Sequence, residues 1–269
     1  MARLPTLFVG HGAPTLLHDA VPARDFLATL AARLPLPRAV VVVSAHHVRQ
    51  TTRIGISAHW QEWHDFGGFP AALYEERYRP AGTPELGLQL VTGLREQGFD
   101  VAAEDDGRLD HGAWVPLKLA WPEANVPVIT LSLSSGLDSA GHLRLGQALA
   151  AILPDDVLLL ASGSMTHNLR EVFSHDMDDA ADPYVAAFSD WVEQAATADL
   201  PGELAQWQTL APYARRAHPT IDHFLPLLVA RGAAGARATV GRWHDSTTFG
   251  VLGMQALAFV PQAELAEGA

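Results

Sequence analysis

Residues 39–44 read Ala-Val-Val-Val-Val-Ser. Four consecutive valines disfavour a helix, because each branched side chain crowds the preceding turn, and they suit a strand. No polar residue alternates with them, so both faces of the strand must be covered. Strands of that kind lie in the middle of parallel sheets with helices above and below. Thr6–Val9, Val126–Leu133 and Val157–Ala161 read as further buried strands, and Arg53–Ser57 as a shorter one. Ala23–Leu34, Glu85–Gln97 (closed by Gly98), Asp138–Leu153, Pro183–Ala196 and Ile221–Arg231 carry helical patterns. Ala238–Arg242 and Phe249–Phe259 read as strands added antiparallel at one side. This alternation predicts an α/β fold: a single domain over 1–269 with a central, mostly parallel mixed sheet flanked by helices on both faces. No repeat or low-complexity linker divides the chain, and Ala263–Ala269 is expected to fray.

Charge narrows the partners. Eighteen Lys and Arg against 30 Asp and Glu give a net charge of −12. Such a surface repels phosphate backbones, so no nucleic-acid partner is expected. No apolar run approaches the ~20 residues of a membrane span. The N-terminal apolar stretch runs into Gly10-His11-Gly12 without a signal-peptide core. The expectation is a cytoplasmic protein, monomer or homo-oligomer, with no membrane partner.

The chain has 13 histidines and no cysteine. Thiolate nucleophiles, disulfides, Cys-ligated zinc and iron–sulfur clusters are therefore excluded, and a metal site has to use imidazole and carboxylate. Placement matters more than number. Thr6–Val9 runs into Gly10-His11-Gly12, Ala39–Ser44 into Ala45-His46-His47, and Val157–Ala161 into Ser162-Gly163-Ser164 and then His167. In open α/β sheets ligands bind beyond the carboxyl ends of the strands. One histidine so placed is an ordinary solvated or hydrogen-bonded group, whereas three coincident placements indicate a shared site. His223, with Asp222 as its rival, sits after Thr220, which is placed to cap the helix that follows. His111, in Asp110-His-Gly-Ala-Trp114, precedes a short apolar helix. Three imidazoles with open coordination positions make a catalytic site for zinc or iron, and a closed shell makes a structural one. The long-range spacing does not name the metal.

Six stretches then carry a resemblance. They are Gly10-His-Gly-Ala-Pro14, Val41-Val-Val-Ser-Ala-His46, His64-Asp-Phe-Gly-Gly-Phe-Pro70 with Leu73-Tyr74, Asp110-His-Gly-Ala-Trp114, Ala161-Ser-Gly-Ser-Met-Thr-His-Asn-Leu-Arg170, and Pro219-Thr-Ile-Asp-His-Phe-Leu-Pro-Leu227. In order and over nearly the whole chain, they resemble class III extradiol ring-cleavage dioxygenases of the 4,5-DOPA dioxygenase branch, related to the catalytic subunit of protocatechuate 4,5-dioxygenase. The resemblance implies a non-heme, metal-dependent dioxygenase that inserts both atoms of O2 into a catechol, opening the ring to a semialdehyde. It implies His11, His46 and His223 as metal ligands and His167 as the acid/base residue, able to become a fourth ligand in a zinc-filled form. It implies His111 as a second catalytic histidine near the substrate oxygens, and Asp222 pointing elsewhere on its helix. One divalent metal is implied, Fe(II) for activity or Zn(II) as found bound. A small catecholic substrate and O2 are the implied partners.

His64, Phe69 and Arg170 are candidates to contact the substrate, Arg170 as partner of a charged side chain or simply in a surface ion pair. Phe66, Trp60 and Trp63 either stack on the substrate ring or pack onto the core. The family often has Trp where this chain has His47, which adds an imidazole next to the site. Two rival readings of the same histidines are a zinc hydrolase and a non-catalytic protein that binds a metal or small molecule.

Overall fold

The structure, a computed structural model, describes residues 3–197 and 202–262. The expectation for Ala263–Ala269 lies outside them. The eight strands of the main sheet are β1 (Thr6–Gly10), β2 (Ala39–Arg49), β3 (Thr52–Gly55), β4 (Val101–Glu104), β5 (Val128–Ser134), β6 (Val157–Gly163), β7 (Thr239–His244) and β8 (Ala256–Val260). Their order across the sheet is β4-β3-β5-β2-β6-β1-β8-β7. The centre, β5-β2-β6-β1, is parallel throughout. β8 and β7 add antiparallel at one side, as the sequence predicts. At the other side β3 runs antiparallel to β5 and parallel to β4.

Side chains alternate across this sheet as a pleat requires. Val41, Val43, Leu159 and Ala161 join one core with helices α2 (Pro84–Glu96), α4 (Ser139–Ile152), α5 (Pro183–Thr197) and α6 (Leu225–Ala233). Val40, Val42, Leu158 and Leu160 join the other, under α1 (Pro22–Thr29) and α3 (His111–Ala120). The valine run is thus covered on both faces. Asp110 caps α3, its side chain accepting from the Ala113 amide at 3.2 Å. Gly98 takes φ +84° beyond the C-terminus of α2, a left-handed position that glycine adopts without steric cost.

Several boundaries depart from the sequence reading, each for a local reason. β2 continues past Ser44 to Arg49, so His46 and His47 lie within the strand. Its register against β5 jumps between Val43 and Val48, and this bulge re-aims the residues between them. The stretch expected as one strand, Phe249–Phe259, is a turn with Phe249 and Gly250 at positive φ, a two-residue ribbon at Leu252–Gly253, and then β8. The helix expected from Ile221 begins at Leu225, and Thr220 does not cap it. The His223 carbonyl accepts from the Ser164 amide at 3.0 Å, which removes it from the helical ladder. Pro226 has no N–H to offer the carbonyl of residue 222. The helix expected to run to Leu34 is α1 to Thr29 followed by a 3₁₀ turn, Leu30–Arg33. β4, an edge strand of four residues, has no marked pattern and was not anticipated. Among the described residues no helix is long and apolar enough to cross a membrane.

Candidate metal centre

Five histidines meet beyond the carboxyl ends of β1 and β6 and at the bulge of β2. His11 follows β1, its amide donating to the Gly163 carbonyl at 3.1 Å. His46 sits in the β2 bulge, its amide donating to Ser44 Oγ at 3.1 Å. Ser44 Oγ donates in turn to Asp110 Oδ1 at 2.5 Å. His111 opens α3, His167 follows β6, and His223 occupies the turn before α6. Two glycines make the convergence sterically possible. A Cβ on Gly163 would lie 2.2 Å from the His223 carbonyl oxygen, and one on Gly112 would lie 3.0 Å from the His46 ring.

The hydrogen bonds decide which ring nitrogen faces inward. Ser162 Oγ spends its proton on the Gly112 carbonyl. It is therefore the acceptor for His11 Nδ1–H at 2.9 Å, and His11 Nε2 carries a lone pair. Asp222 Oδ2 accepts from His223 Nδ1–H, which leaves His223 Nε2 as a lone pair too. That atom is buried without a hydrogen-bond partner. His46 Nε2 lies 3.1 Å from His11 Nε2. One ligand atom from each of His11, His46 and His223 fits within a 4.8 Å spread. Imidazoles bound at about 2.0–2.1 Å in tetrahedral directions have nitrogens roughly 3.3 Å apart. The three nitrogens thus fit a divalent ion, and a carboxylate or hydroxyl behind His11 and His223 fixes each tautomer, as is usual for metal-ligating histidine. Asp222 does not point elsewhere, as the sequence reading expected: it buttresses His223.

Electrostatics favours the same state. Burial, reinforced by the neighbouring imidazoles, pushes His11 well below the usual histidine range, His46 to about 4 and His223 to about 3. Ligands must be neutral, and these are neutral at physiological pH without a metal to compete for the proton.

His167 stands outside that group of three. Its ring stacks on His223, with centroids 3.4 Å apart and planes 8° apart, and burial lowers its pKa to about 4. His111 lies with its ring centroid 4.0 Å from that of His46. Asp65 Oδ1 accepts from both the His111 amide, at 2.9 Å, and Nδ1, at 3.0 Å. Asp65, His46 and His111 form a second group of potential ligand atoms. All five histidines line one cavity of about 230 Å³, together with Gly12, Ala13, Pro14, Phe66, Phe69, Ser164, Leu169, Leu252 and Met254.

Not every candidate reaches this cavity. His64 contributes no lining. Its ring packs near Phe66, Tyr74 and Trp114, while its chain neighbour Asp65 holds His111. Arg170 is exposed on the short helix Leu169–Val172 and does not line the cavity. Trp60 is core, its indole N–H donating to the Val128 carbonyl at 2.8 Å, and Trp63 lies beneath the Arg108 guanidinium. His47 does not line the cavity: it bonds Glu104 Oε2 at 2.9 Å, and Arg49 bonds the other oxygen of the same carboxylate.

Buried neutral imidazoles at the open end of an α/β sheet, beneath a mostly apolar cavity, define a metal-dependent enzyme acting on a small molecule with an apolar body. Residues 20–255 match the family described as the catalytic LigB subunit of aromatic ring-opening dioxygenase, and the chain belongs to that family. It is an extradiol ring-cleavage dioxygenase. It is 38% identical over 251 residues to a 4,5-DOPA dioxygenase extradiol of Beta vulgaris, covering 92% of this chain and 93% of the relative. A protein of the same name from Escherichia coli K12 is 36% identical, covering 86% and 85%. The fold matches the crystal structure of an uncharacterized Escherichia coli K12 protein with a TM-score of 0.79 at 29% identity, covering 96% of this chain and all of the other.

Proposed function

We propose that this chain is an Fe(II)-dependent dioxygenase that opens the ring of DOPA or a related catechol, with His11, His46 and His223 holding the metal. The buried, unpartnered Nε2 of His223, aimed into a cluster of neutral imidazoles, carries the assignment. Bound Fe(II) would supply the one-electron chemistry through which O2 reacts with a catechol. Ring and O2 together contain every atom of the semialdehyde, so no separate reductant is needed.

The side chains supply the rest. A catechol has to shed protons to bind through both oxygens. Neutral His167 is the base that takes one and the acid that returns it, a role suited to imidazole. His111 donates its Nδ1–H in a hydrogen bond to Asp65 Oδ1, which leaves Nε2 to meet a substrate hydroxyl. Phe66 and Phe69 wall the cavity and favour the ring over water. Zn(II) would occupy the same imidazoles without redox chemistry. Residues 1–269 form one catalytic domain, and the protein works in the cytoplasm.

Two measurements test this. Apoprotein loaded anaerobically with Fe(II) should turn DOPA into a yellow ring-opened product, and protein loaded with Zn(II) should not. Turnover with zinc alone would contradict the iron assignment. A His167→Ala variant should keep its metal and lose about 10²–10⁴-fold in kcat. Full activity in that variant would remove His167 from the chemistry.

A further inference from the structure

His218 is a buried imidazole that takes no part in the metal centre. It follows the short helix Ala214–Ala217 and precedes Pro219, and its backbone is extended. Its ring lies among those of Phe188, Trp207 and Phe224, with centroids 5.5, 5.4 and 5.3 Å away, and the residue is only 3% exposed. Burial lowers its pKa to about 4, so the ring is neutral and carries one N–H. Nε2 donates that N–H to the Met165 carbonyl at 2.9 Å. Nδ1 is then a buried lone pair without a hydrogen-bond partner. A hydrocarbon ring would fill this apolar niche and orphan no side-chain nitrogen, so packing gives no reason for an imidazole here. The reason lies in the one bond that the ring makes.

That bond reaches the chain just before His167. The carbonyl of Ala217, next to His218, accepts from the His167 amide at 2.7 Å. Ala217 and His218 therefore grip the Met165–His167 backbone from one side. Further along the same segment, the His223 carbonyl accepts from the Ser164 amide at 3.0 Å. Held in this way, the His167 ring stacks on His223 and lines the cavity. Resting on the dioxygenase reading above, we propose that His218 is a positioning residue: its bond to the Met165 carbonyl holds the backbone that presents the His167 imidazole to the substrate. Proton transfer depends steeply on distance, and a misplacement of about 1 Å costs about 10²-fold. Substrate binding through the metal and the Phe66 and Phe69 walls does not pass through this bond. The effect therefore falls on kcat and spares KM and metal content.

Three variants separate positioning from packing. His218→Phe keeps an aromatic ring in the niche and removes the donor. His218→Leu also lacks the donor and is read in the same way, so a folding defect in one of them does not decide the outcome. His218→Gln keeps an amide N–H within similar reach of the carbonyl. With Fe(II) and DOPA, well below Tm, the Phe and Leu variants should lose about tenfold or more in kcat per bound iron, with KM within about twofold of wild type. The Gln variant should keep kcat within about threefold. A second readout needs no turnover. The His167 Cε1–H NMR signal of Zn(II)-loaded protein, assigned by its loss in His167→Ala, should move or broaden in the Phe and Leu variants and stay in place in the Gln variant. Wild-type kcat and an unmoved His167 signal without the donor would overturn the inference alone, as would equal losses in all three variants. Loss of metal from the Phe and Leu variants would overturn it too, by making His218 a support of the ligands. No ring opening by the wild-type protein would overturn the dioxygenase reading and this inference with it.

Discussion

His223→Ala protein is expected to purify folded, to hold little metal, and to lose about a thousandfold or more in ring opening. The loss reflects the several kcal/mol that a bound metal supplies to a transition state. The fold should survive because Nε2 makes no hydrogen bond within the protein and Nδ1 bonds only the neighbouring Asp222, whose half-buried carboxylate can turn to water when the ring is removed. Two imidazoles would then remain where a catalytic site of this kind uses three protein ligands. Removing only the support behind the ring should cost less. Asp222→Asn keeps the side-chain shape but weakens the acceptor for His223 Nδ1–H, and outer partners of metal ligands are worth about 10–100-fold in affinity. Excess Fe(II) should therefore restore the Asn variant and not the Ala variant. Metal content by mass spectrometry after anaerobic loading, with circular dichroism as the folding control, separates the two. Full metal occupancy in His223→Ala would remove His223 from the ligand set.

The second large effect is expected at a residue with no functional group. Gly163→Ala places a Cβ 2.2 Å from the His223 carbonyl oxygen and 3.1 Å from Phe8. The nearer contact is far inside van der Waals range and is with backbone, so the end of β6 or the turn carrying His223 has to move. Overpacking of this kind costs about 1–3 kcal/mol. In a chain of this length that lowers Tm by roughly 2–12 °C, and metal affinity falls with the displaced ring. Gly67→Ala, where a Cβ meets nothing within 4 Å, is the control and should leave Tm unchanged. Thermal melts of both variants with and without metal check this. An unshifted Gly163→Ala melt with normal metal binding would show that β6 and the His223 turn are not in the close contact described.

Particular residues show what could be read from sequence and what could not. The valine run of β2 and the apolar runs of β1 and β6 identify buried strands because burial on both faces leaves no alternation to confuse them. Their carboxyl ends then locate His11, His46 and His167, and the structure brings these together with His111 and His223 around one cavity. Contacts made through loops and tertiary bonds left no such pattern. His64 and Asp65 are neighbours, and only the path of the loop decides that Asp65 reaches His111 while His64 packs beside Trp114. Asp222 follows Thr220 as a residue of a first helical turn would. The diversion of the His223 carbonyl to Ser164 delays the helix and lets Asp222 hold His223 instead. The β2 bulge and the pairing of His47 with Glu104 depend on strands distant in sequence. Arg170, adjacent in sequence to the lining residue Leu169, is exposed and does not line the cavity, a difference that the sequence of the two neighbours does not mark.

The most direct test of the central claim is isotopic. Iron-loaded protein is mixed with a catechol under ¹⁸O2 and quenched at once with borohydride, which traps the aldehyde before its oxygen exchanges with water. The account predicts that both oxygen atoms added to the product carry the label, and that turnover stops under argon. A product with no label from ¹⁸O2, or turnover without O2, would contradict it.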